Sequence, residues 1–369
     1  MDSKKKLLFI IPSLEGGGSE KVLSVLLQNL SADKFAITLA LVCKRGIYYS
    51  SIPSHVSIID MNASRNRYSV SKIYKAIKNA SPDIVVTFNV NHICTMVFIA
   101  SLFLPSRIKY IVRESTTLSI LLKTYSYSQT FLKLGYKMIY RSFDFIVCQS
   151  NNMKDDFISN FNISPGKTRV INNPIESKRI PPLSLEKLSG MDESKYNLLA
   201  IGRYVHAKGF DYLILALKKI NIANVHLTIL GDETPEDPGY KNKLLALVQE
   251  QDLGEKVTFL PFDANPFKYM RSADLLVIPS RYEGFPNVAI EANTLGKPVV
   301  AFKASGGVVD IIDNGMNGLL VINKDVDSLA ASIEQASKIK WDGAKIAAMA
   351  QKYDAQNIIP LYENIFCTI

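Results

Sequence analysis

Residues 273–302 have the sequence ADLLVIPSRYEGFPNVAIEANTLGKPVVAF. The short apolar run Leu275–Pro279 has the composition of a strand that is buried on both faces. Proline fits the first position of a helix and would break a later one, so a helix is expected to begin at Pro286–Asn287. Gly296 is expected to end that helix, and Val299–Phe302 is expected to form the next strand. The stretch therefore predicts one strand–loop–helix–strand unit of a parallel sheet.

Two carboxylates lie in this unit, Glu283 on the loop and Glu291 about one turn inside the helix. Eight residues at 3.6 residues per turn end about 80° beyond whole turns, so both carboxylates can face one cleft. The backbone N–H groups at the helix N-terminus are predicted to bind an anion or hydroxyls. They lie in the segment Gly284, Phe285, Pro286 and Asn287, of which Pro286 has no N–H of its own. The alternative is an ordinary crossover with two solvated glutamates. Exposed aromatic residues at Tyr282 and Phe285 would argue against that alternative.

Residues 280–300, SRYEGFPNVAIEANTLGKPVV, resemble the E-x7-E signature of the retaining family-4 glycosyltransferases. The residues around the two glutamates agree as well as the glutamates themselves. The resemblance implies an α/β chain of the GT-B fold, in which two Rossmann-like domains face each other across a cleft. It also implies a nucleotide-sugar donor as substrate and a last helix that returns to the first domain.

The length and composition fit such a chain. A chain of 369 residues favours two domains, and 47% hydrophobic with 21% charged residues is typical of a globular protein. Four scattered cysteines without a C-x-x-C pair suggest neither a disulfide framework nor a zinc site, which favours a cytoplasmic location. The basic start and short apolar run of the N-terminus could suggest a signal peptide, but the run reads better as a first strand. The run Ile93–Leu104 is too short to span a bilayer.

The charge is uneven along the chain. Residues 1–190 carry a net charge of +13 and the remainder −4, which suggests an anionic partner for the N-terminal half. No nucleic-acid recognition motif is present, so an anionic membrane surface or a polyprenyl-diphosphate-linked acceptor fits better. The segment Leu118–Phe143 is predicted to be one helix that combines basic and aromatic residues, as membrane-surface helices do. The alternative is an amphipathic helix that packs on its own sheet.

The first half alternates apolar runs with helical patterns, which predicts a parallel sheet with strands at 7–12, 36–42, 84–88 and 108–112. After the first run, Gly17 and Gly18 precede a helix over Lys21–Leu30, where backbone can approach an anionic ligand. The spacing differs from G-x-G-x-x-G, which disfavours a dinucleotide-binding dehydrogenase. In the resembled family a similar loop lies near the donor diphosphate or the acceptor; the alternative is a tight turn.

Arg113 and Glu114 follow a predicted strand at Tyr110–Val112, so they lie at its carboxyl end, where open α/β sheets bind ligands. Many members of the resembled family have a histidine in this region. The resemblance therefore implies an acceptor-side contact at Arg113 and Glu114, with a surface ion pair as the alternative.

The second half restarts the alternation at Leu198–Ile201, followed by Gly202, Arg203, Lys208 and a helix over Phe210–Lys219. This pattern resembles the family's G-R-x…K-G motif. Arg203 offers a planar fork to phosphate and Lys208 a compact point charge, both beside a helix N-terminus. A simple basic loop is the alternative.

Further pieces extend the resemblance. Leu260 lies near the end of the predicted strand Val257–Pro261 and Phe262 follows it, in a region where members of the family hold the nucleobase. Gly306 and Gly307 match a glycine loop that precedes a helix. The predicted domains are an acceptor-side domain at 1–178, a nucleotide-sugar-binding domain at 195–350 and a C-terminal helix at 351–369 that packs back on the first domain. The Pro- and Ser-rich run between the domains, which ends at Gly190, is expected to be a linker.

The sequence thus predicts a retaining glycosyltransferase that moves a sugar from a UDP-sugar, in preference to a GDP-sugar, to a lipid-linked glycan in cell-surface polysaccharide synthesis. Arg203 and Lys208 would stabilise the leaving diphosphate. Glu283 would bind sugar hydroxyls and Glu291 the ribose hydroxyls. No D-x-D stands in a metal-binding context, so the reaction is expected to need no metal. The alternatives are a small soluble acceptor or a non-enzymatic membrane-surface protein.

Overall fold

The computed structural model describes residues 4–63, 69–88, 93–123, 129–188, 191–192, 194–304 and 306–369. The chain divides into two compact units. Unit 1 comprises Met1–Ile175 together with Ala355–Ile369, and unit 2 comprises Glu176–Asp354. Each unit is an α/β domain built on one parallel sheet, as the sequence predicts.

Unit 1 has a seven-stranded sheet in the order β3-β2-β1-β4-β5-β6-β7. Its strands are β1 (Lys5–Ile11), β2 (Phe35–Leu41), β3 (Ser57–Asp60), β4 (Ile84–Phe88), β5 (Lys109–Arg113), β6 (Phe145–Cys148) and β7 (Thr168–Val170). Its helices are α1 (Gly18–Asn29), α2 (Val70–Ala80), α3 (Ile93–Ser101), α4 (Leu118–Lys123), α5 (Gln129–Ser142), α6 (Asn151–Phe161) and the C-terminal α15 (Ala355–Thr368).

The strands of unit 1 are rich in apolar residues, and β4 is buried at every position, because helices cover both faces of the sheet. Helix α15 packs against α1, and its buried Tyr362 and Phe366 join the same core cluster as Phe9 and Phe35. The last helix is therefore part of the core of unit 1, although it follows unit 2 in the chain.

Unit 2 has a six-stranded sheet in the order β10-β9-β8-β11-β12-β13. Its strands are β8 (Tyr196–Ile201), β9 (Val225–Leu230), β10 (Val257–Leu260), β11 (Leu275–Ile278), β12 (Val299–Phe302) and β13 (Gly318–Val321). Its helices are α7 (Ile180–Leu183), α8 (Phe210–Lys219), α9 (Tyr240–Glu250), α10 (Phe267–Ser272), α11 (Asn287–Thr294), α12 (Val308–Ile311), α13 (Val326–Lys338) and α14 (Gly343–Ala350).

Two long predicted helices are shorter in the structure. The segment predicted at 118–143 contains two helices, α4 and α5, and the residues between them, including Tyr125 and Tyr127, lie outside the described residues. The segment predicted as helical over 346–366 is divided into α14 and α15 by a 3₁₀ turn. Helix α15 begins directly after Asp354, whose backbone is non-helical (φ −58°, ψ 145°) and whose carboxylate accepts hydrogen bonds from the N–H and hydroxyl of Ser177. A contact 177 residues away along the chain therefore sets this helix boundary.

The run expected to be a linker carries structure of its own. Helix α7 packs against α10 and α11, with Ile180 buried, and the Leu183 carbonyl accepts a hydrogen bond from Asn265. The prolines that indicated a linker occupy the first turn of this helix, where a missing N–H costs nothing.

Candidate active site

The proposed donor-binding loops lie side by side on unit 2. Strands β8 and β11 are neighbours in a parallel sheet, so the loops that follow them leave the same edge. The first loop carries Lys208 and the second carries Glu283. Their side chains meet in an ion pair, with 2.7 Å between Lys208 Nζ and Glu283 Oε1. The hydroxyl of Ser280 donates to the same carboxylate oxygen at 2.6 Å, so the orientation of the carboxylate is fixed by two groups.

Glycines allow this close approach. A Cβ at Gly202 would lie 3.1–3.4 Å from the aliphatic chain of Lys208, so Gly202 leaves room for the lysine. Gly209 has φ +64° and its Cα faces Pro279, the first residue after β11. A larger residue at 209 would meet both an unfavourable backbone conformation and the Pro279 carbonyl. The two loops can thus touch only because these positions lack side chains.

Arg203 is placed differently. Its side chain is 54% exposed, and its Nη1 lies 2.6 Å from Oε1 of Glu236 on the loop that follows β9. The cation predicted to bind phosphate is therefore held by a carboxylate on the neighbouring loop of the same edge.

The EGFPN loop packs against the glycine pair at 306–307. A Cβ at Gly306 would lie 2.7 Å from the Glu283 carbonyl carbon and 2.9 Å from the Gly284 carbonyl oxygen. The N–H of Gly307 donates to the Gly284 carbonyl at 2.7 Å. The ring of Phe285 is buried between Gly307 and Tyr353, with 5.7 Å between the ring centroids of Phe285 and Tyr353. The expectation that Phe285 is exposed is wrong, because residues distant in sequence cover it.

Helix α11 begins where the sequence predicts. Pro286 is its N-cap and Asn287 its first residue, without a side-chain cap, so backbone N–H groups are present at this end. Glu291 lies one turn inside the helix and is 3% exposed, although its carboxylate would be costly to bury without hydrogen-bond partners. Glu291 does interact with other groups of the chain, so its carboxylate is not isolated.

The predicted base-binding residues lie at the end of β10. The Leu260 carbonyl accepts hydrogen bonds from the Gly231 N–H and the Tyr204 hydroxyl, both at 3.0 Å. The ring of Phe262 is 48% exposed, and its N–H donates to Asp232 at 3.2 Å. The backbone here is engaged within unit 2, while the Phe262 ring stays accessible.

Two groups of predicted residues belong to unit 1. Gly17 is the N-cap of α1 and Gly18 its first residue. A Cβ at Gly17 would overlap Oε2 of the Glu20 carboxylate, so this helix N-terminus already has a carboxylate of its own chain beside it.

Arg113 and Glu114 are interior residues. Arg113 is fully buried, with its Nε 3.1 Å from the Tyr362 hydroxyl, its Nη2 bonded to Asn173 and its guanidinium 4.8 Å from the ring centroid of Phe88. A surface ion pair is excluded by this burial.

Glu114 is 3% exposed and accepts a hydrogen bond from the Tyr140 hydroxyl at 2.5 Å. Burial, and then the neighbouring Cys94 and Glu114, raise the pKa of the Tyr140 hydroxyl well above its usual value, so it stays a donor at neutral pH. Both Arg113 and Glu114 connect elements of unit 1; a contact with an acceptor stays a prediction.

The structure adds residues that the sequence analysis missed. Arg281 lies two residues before Glu283, and its guanidinium forms a two-pronged pair with Asp211 on the first turn of α8. Glu236, the partner of Arg203, was also missed. Charged residues on loops are common, and nothing in the local sequence separates these from solvated ones.

The described residues lack two features. No group of three or more His, Cys, Asp or Glu side chains in this part of the chain is placed to hold a metal ion. Among the described helices, none combines the length and apolar character needed to cross a bilayer.

The chain matches two sequence models of known families. The model described as Glycosyl transferases group 1 matches residues 185–355, and the model described as Glycosyltransferase Family 4 matches residues 16–179.

Curated relatives agree with these matches. An N-acetylgalactosaminyltransferase of Campylobacter jejuni, named for action on a diphospho-undecaprenol-linked saccharide, is 30% identical over 86% of each chain. The amylovoran biosynthesis glycosyltransferase AmsD of Erwinia amylovora is 25% identical over 89% of each chain.

Solved structures share the fold. HepE of Anabaena in complex with UDP superposes with a TM-score of 0.79 at 24% identity, covering 99% of this chain and 100% of that one. WaaG, a glycosyltransferase of lipopolysaccharide biosynthesis, gives a TM-score of 0.71 at 18% identity, covering 98% and 100%. The fold is therefore GT-B, and the chain belongs to the family-4 glycosyltransferases.

Proposed function

We propose that this glycosyltransferase moves a sugar from a UDP-sugar to a lipid-linked glycan, with retention of the anomeric configuration. The observation that carries the proposal is the ion pair of Lys208 and Glu283 at the carboxyl edge of the unit 2 sheet. It joins the two loops whose sequences resemble the donor-binding motifs. Arg203 stands on the same loop as Lys208, which adds a second cation.

The residues have distinct chemical tasks. When the bond between the anomeric carbon and the diphosphate oxygen breaks, negative charge gathers on the leaving diphosphate. Lys208 and Arg203 stabilise that charge more strongly in the transition state than in the ground state, which is what accelerates the reaction. Lys208 supplies a point charge and Arg203 a planar fork. Both cations now contact carboxylates, so the diphosphate has to displace or share Glu236 and Glu283.

The two glutamates divide the donor between them. Glu283, held by Ser280, accepts from sugar hydroxyls beside the backbone groups of Gly284–Asn287. Glu291, one turn inside α11, accepts from the ribose hydroxyls. Gly202 and Leu260 line the nucleotide side, with Phe262 offering an exposed ring to the base. On unit 1, Gly17 and Gly18 are proposed as donor-binding residues, and Arg113 and Glu114 are proposed to support acceptor binding from the interior.

A uridine donor is favoured because HepE of Anabaena, which has the same fold, was crystallised with UDP. The test is nucleotide release from a panel of UDP- and GDP-sugars, followed by NMR of the glycoside product. Release of UDP from at least one sugar, with the same anomeric configuration in donor and product, is expected. Release of GDP alone would overturn the choice of nucleotide, and an inverted product would overturn retention.

A lipid-linked acceptor is supported by the Campylobacter relative, whose name specifies a diphospho-undecaprenol-linked substrate. The net charge of +13 over residues 1–190 suits both a diphosphate headgroup and the anionic leaflet around it. We therefore place the enzyme as a peripheral protein on the cytoplasmic face of a membrane. A small soluble acceptor is the competing hypothesis.

Helix α5 offers a surface for such docking. Phe131, Leu134 and Met138 are 78%, 65% and 60% exposed. At 100° per residue they fall within about 60° of one another around the helix, so they form one apolar stripe. The exposed Arg141 flanks the stripe, about 20° beyond Leu134, whereas the exposed Lys133 lies about 100° beyond Leu134 around the helix. Large apolar side chains are rarely exposed in such a contiguous row unless they meet a partner.

An apolar stripe with a basic side chain at its edge fits an anionic bilayer. The stripe can enter the acyl boundary while Arg141 stays at the headgroups, and each basic residue there contributes about 1 kcal/mol. The turn after α3, a helix that packs against α5, adds Leu102 and Phe103 at 63% and 72% exposure.

Vesicle co-sedimentation tests this surface. Binding to anionic vesicles is expected at low salt. Weaker binding should persist at high salt, because salt does not screen apolar insertion. Changing Phe131 and Leu134 to serine should remove the salt-resistant part. Leu185→Ser is the matched control, since Leu185 is 66% exposed but lies on unit 2. Equal loss in the control, or no vesicle binding by the unchanged protein, would contradict the membrane proposal without affecting the transferase assignment.

A further inference from the structure

The loops after β8 and β11 are joined by more than the Lys208–Glu283 pair. Two hydrogen bonds run from the Arg281 guanidinium to the Asp211 carboxylate, from Nη1 at 2.8 Å and from Nη2 at 2.5 Å. Nη1 also donates to the His206 carbonyl at 2.7 Å, and the Arg281 N–H donates to the Ala207 carbonyl at 2.8 Å. One residue of the second loop therefore binds two residues of the first loop and Asp211 at the start of α8.

The contact is shielded on several sides. The Arg281 side chain is 10% exposed, and its guanidinium carbon lies 4.2 Å from the ring centroid of Tyr212. The hydroxyl of Tyr240 donates at 2.8 Å to Oδ1 of Asp211, the oxygen that Nη1 of Arg281 also contacts. Planar guanidinium groups that are both paired and stacked have little freedom, so this contact is stiff. We use the name loop clamp for Arg281, Asp211 and their mutual hydrogen bonds.

The loop clamp lies next to the proposed reacting groups on both loops. Arg281 is two residues before Glu283, and Asp211 is three residues after Lys208. A displacement of Arg281 relative to Asp211 would therefore change the distance between Lys208 and Glu283. Lys208 and Glu283 contact each other only through the ends of their side chains, whereas Arg281 holds the first loop and the start of α8 through four hydrogen bonds.

We propose that Arg281, acting through Asp211, is a positioning residue that fixes the Lys208–Glu283 geometry required for sugar transfer. The inference rests on the proposed function, because it assigns the clamp to the same donor site. Arg281 has no role in bond breaking here. Its effect is to hold the sugar-binding glutamate and the phosphate-binding lysine at one separation before the donor arrives.

The test uses Arg281→Ala, Asp211→Asn, the double variant and Arg281→Lys. Loss of alignment by about 1 Å can cost about 100-fold in rate, so kcat should fall 10- to 100-fold in each single variant. The double variant should be no slower than the slower single variant, because both changes break one contact. Lysine at 281 should recover only part of the rate, since it cannot bind both carboxylate oxygens. Binding of free UDP should change less than kcat.

A purely structural role predicts different results. Ile333→Val is the stability control. Ile333 is fully buried on α13, and its change to valine removes one methyl group from the unit 2 core. If the clamp variants lose activity only in proportion to their loss of melting temperature, as this control does, the positioning role is refuted. Multiplicative losses for Arg281→Ala and Asp211→Asn would refute it as well.

Hydrogen–deuterium exchange separates the clamp from the proposed reaction. Faster exchange over both 204–212 and 279–287 in Arg281→Ala, relative to Ile333→Val, is expected whether or not a donor has been found. Unchanged exchange in both segments would refute the clamp. If no nucleotide sugar is turned over by the unchanged protein while exchange rises in the variant, the clamp stands and the proposed function fails.

Discussion

Gly306 provides a test of how closely activity depends on the position of the Glu283 loop. Its backbone has φ +120°, and its Cα faces the Glu283 and Gly284 carbonyls. In Gly306→Ala, the new Cβ would lie 2.7 Å from the Glu283 carbonyl carbon and nearer still to its oxygen. The obstacle is backbone, which cannot rotate away as a flexible side chain can.

The size of the effect follows from the geometry. Cβ atoms essentially never approach other heavy atoms closer than 3.0 Å, so the Glu283 carbonyl has to withdraw by roughly 1 Å. A displacement of this size at a binding group can lower the rate about 100-fold. The φ value adds a backbone strain of about 1–3 kcal/mol, which lowers stability but leaves the geometry of the site alone.

The assay compares Gly306→Ala with Gly315→Ala. Gly315 also has positive φ, at +82°, but a Cβ there would have no heavy atom within 4 Å. Both variants should have a lower melting temperature than the unchanged protein. Only Gly306→Ala should release nucleotide about 100-fold more slowly, measured well below both melting temperatures so that folded fractions are equal.

Near-normal turnover in Gly306→Ala would refute the reasoning, since the loop could then move without consequence for the reaction. Equal loss in both variants would assign the effect to backbone strain. A structure of the variant with the Glu283 carbonyl unmoved would refute the steric part separately.

Four further predictions address single parts of the site. Arg203→Ala and Lys208→Ala should each lower turnover strongly, and Arg203→Lys should recover little because the fork is lost; near-native rates in either alanine variant would remove the assigned role. Glu291→Gln should weaken binding of free UDP, whereas Glu283→Gln should spare it and reduce sugar transfer; equal losses of UDP affinity would contradict this division. Burial acts to raise the pKa of the Asp211 carboxyl, but hydrogen bonds from Arg281 and Tyr240 hold it below its usual value, so Asp211 stabilises the fold above the ordinary carboxyl pKa of about 4. The unfolding free-energy difference between the unchanged protein and Asp211→Asn should therefore shrink as pH falls through the folded-state pKa, and a difference that is constant from pH 7 to pH 3 would contradict it. Turnover should persist after EDTA treatment, because Arg203 and Lys208 supply the positive charge; loss that is restored by added Mg²⁺ or Mn²⁺ would contradict metal independence.

The elements that the sequence predicts well are those whose cause is local. Strand β12 and helices such as α8 match the predicted Val299–Phe302 and Phe210–Lys219 to the residue. Buried parallel strands are near-continuous apolar runs, and the prolines and glycines around α11 determine backbone conformation directly. The resemblance to the E-x7-E signature then identified the strand–loop–helix–strand segment with Glu283 and Glu291 as a donor-site candidate.

The features that the sequence does not reveal depend on distant partners. Phe285 looks exposed in a polar loop, but Tyr353 and Gly307 bury it. Arg113 looks like a surface residue at a strand end, but Tyr362 from the last helix binds it in the interior. Arg281 and Asp211 are 70 residues apart. A single sequence contains the partners in each case but no signal that pairs them.

The two cations of the site differ in how firmly they are held, and this difference suggests an order of binding. The Arg203–Glu236 pair is more than half exposed on both sides, so water and salt screen it and its net stabilisation is about 0–1 kcal/mol. The Lys208–Glu283 pair is 23% and 12% exposed, shares its carboxylate with Ser280 and lies beside the loop clamp. A diphosphate carries more charge than one carboxylate and can displace Glu236 at little cost. We therefore expect Arg203 to capture the donor first. We expect Lys208 to engage only when the sugar reaches Glu283, so that its charge would act on the diphosphate as the bond to the sugar breaks.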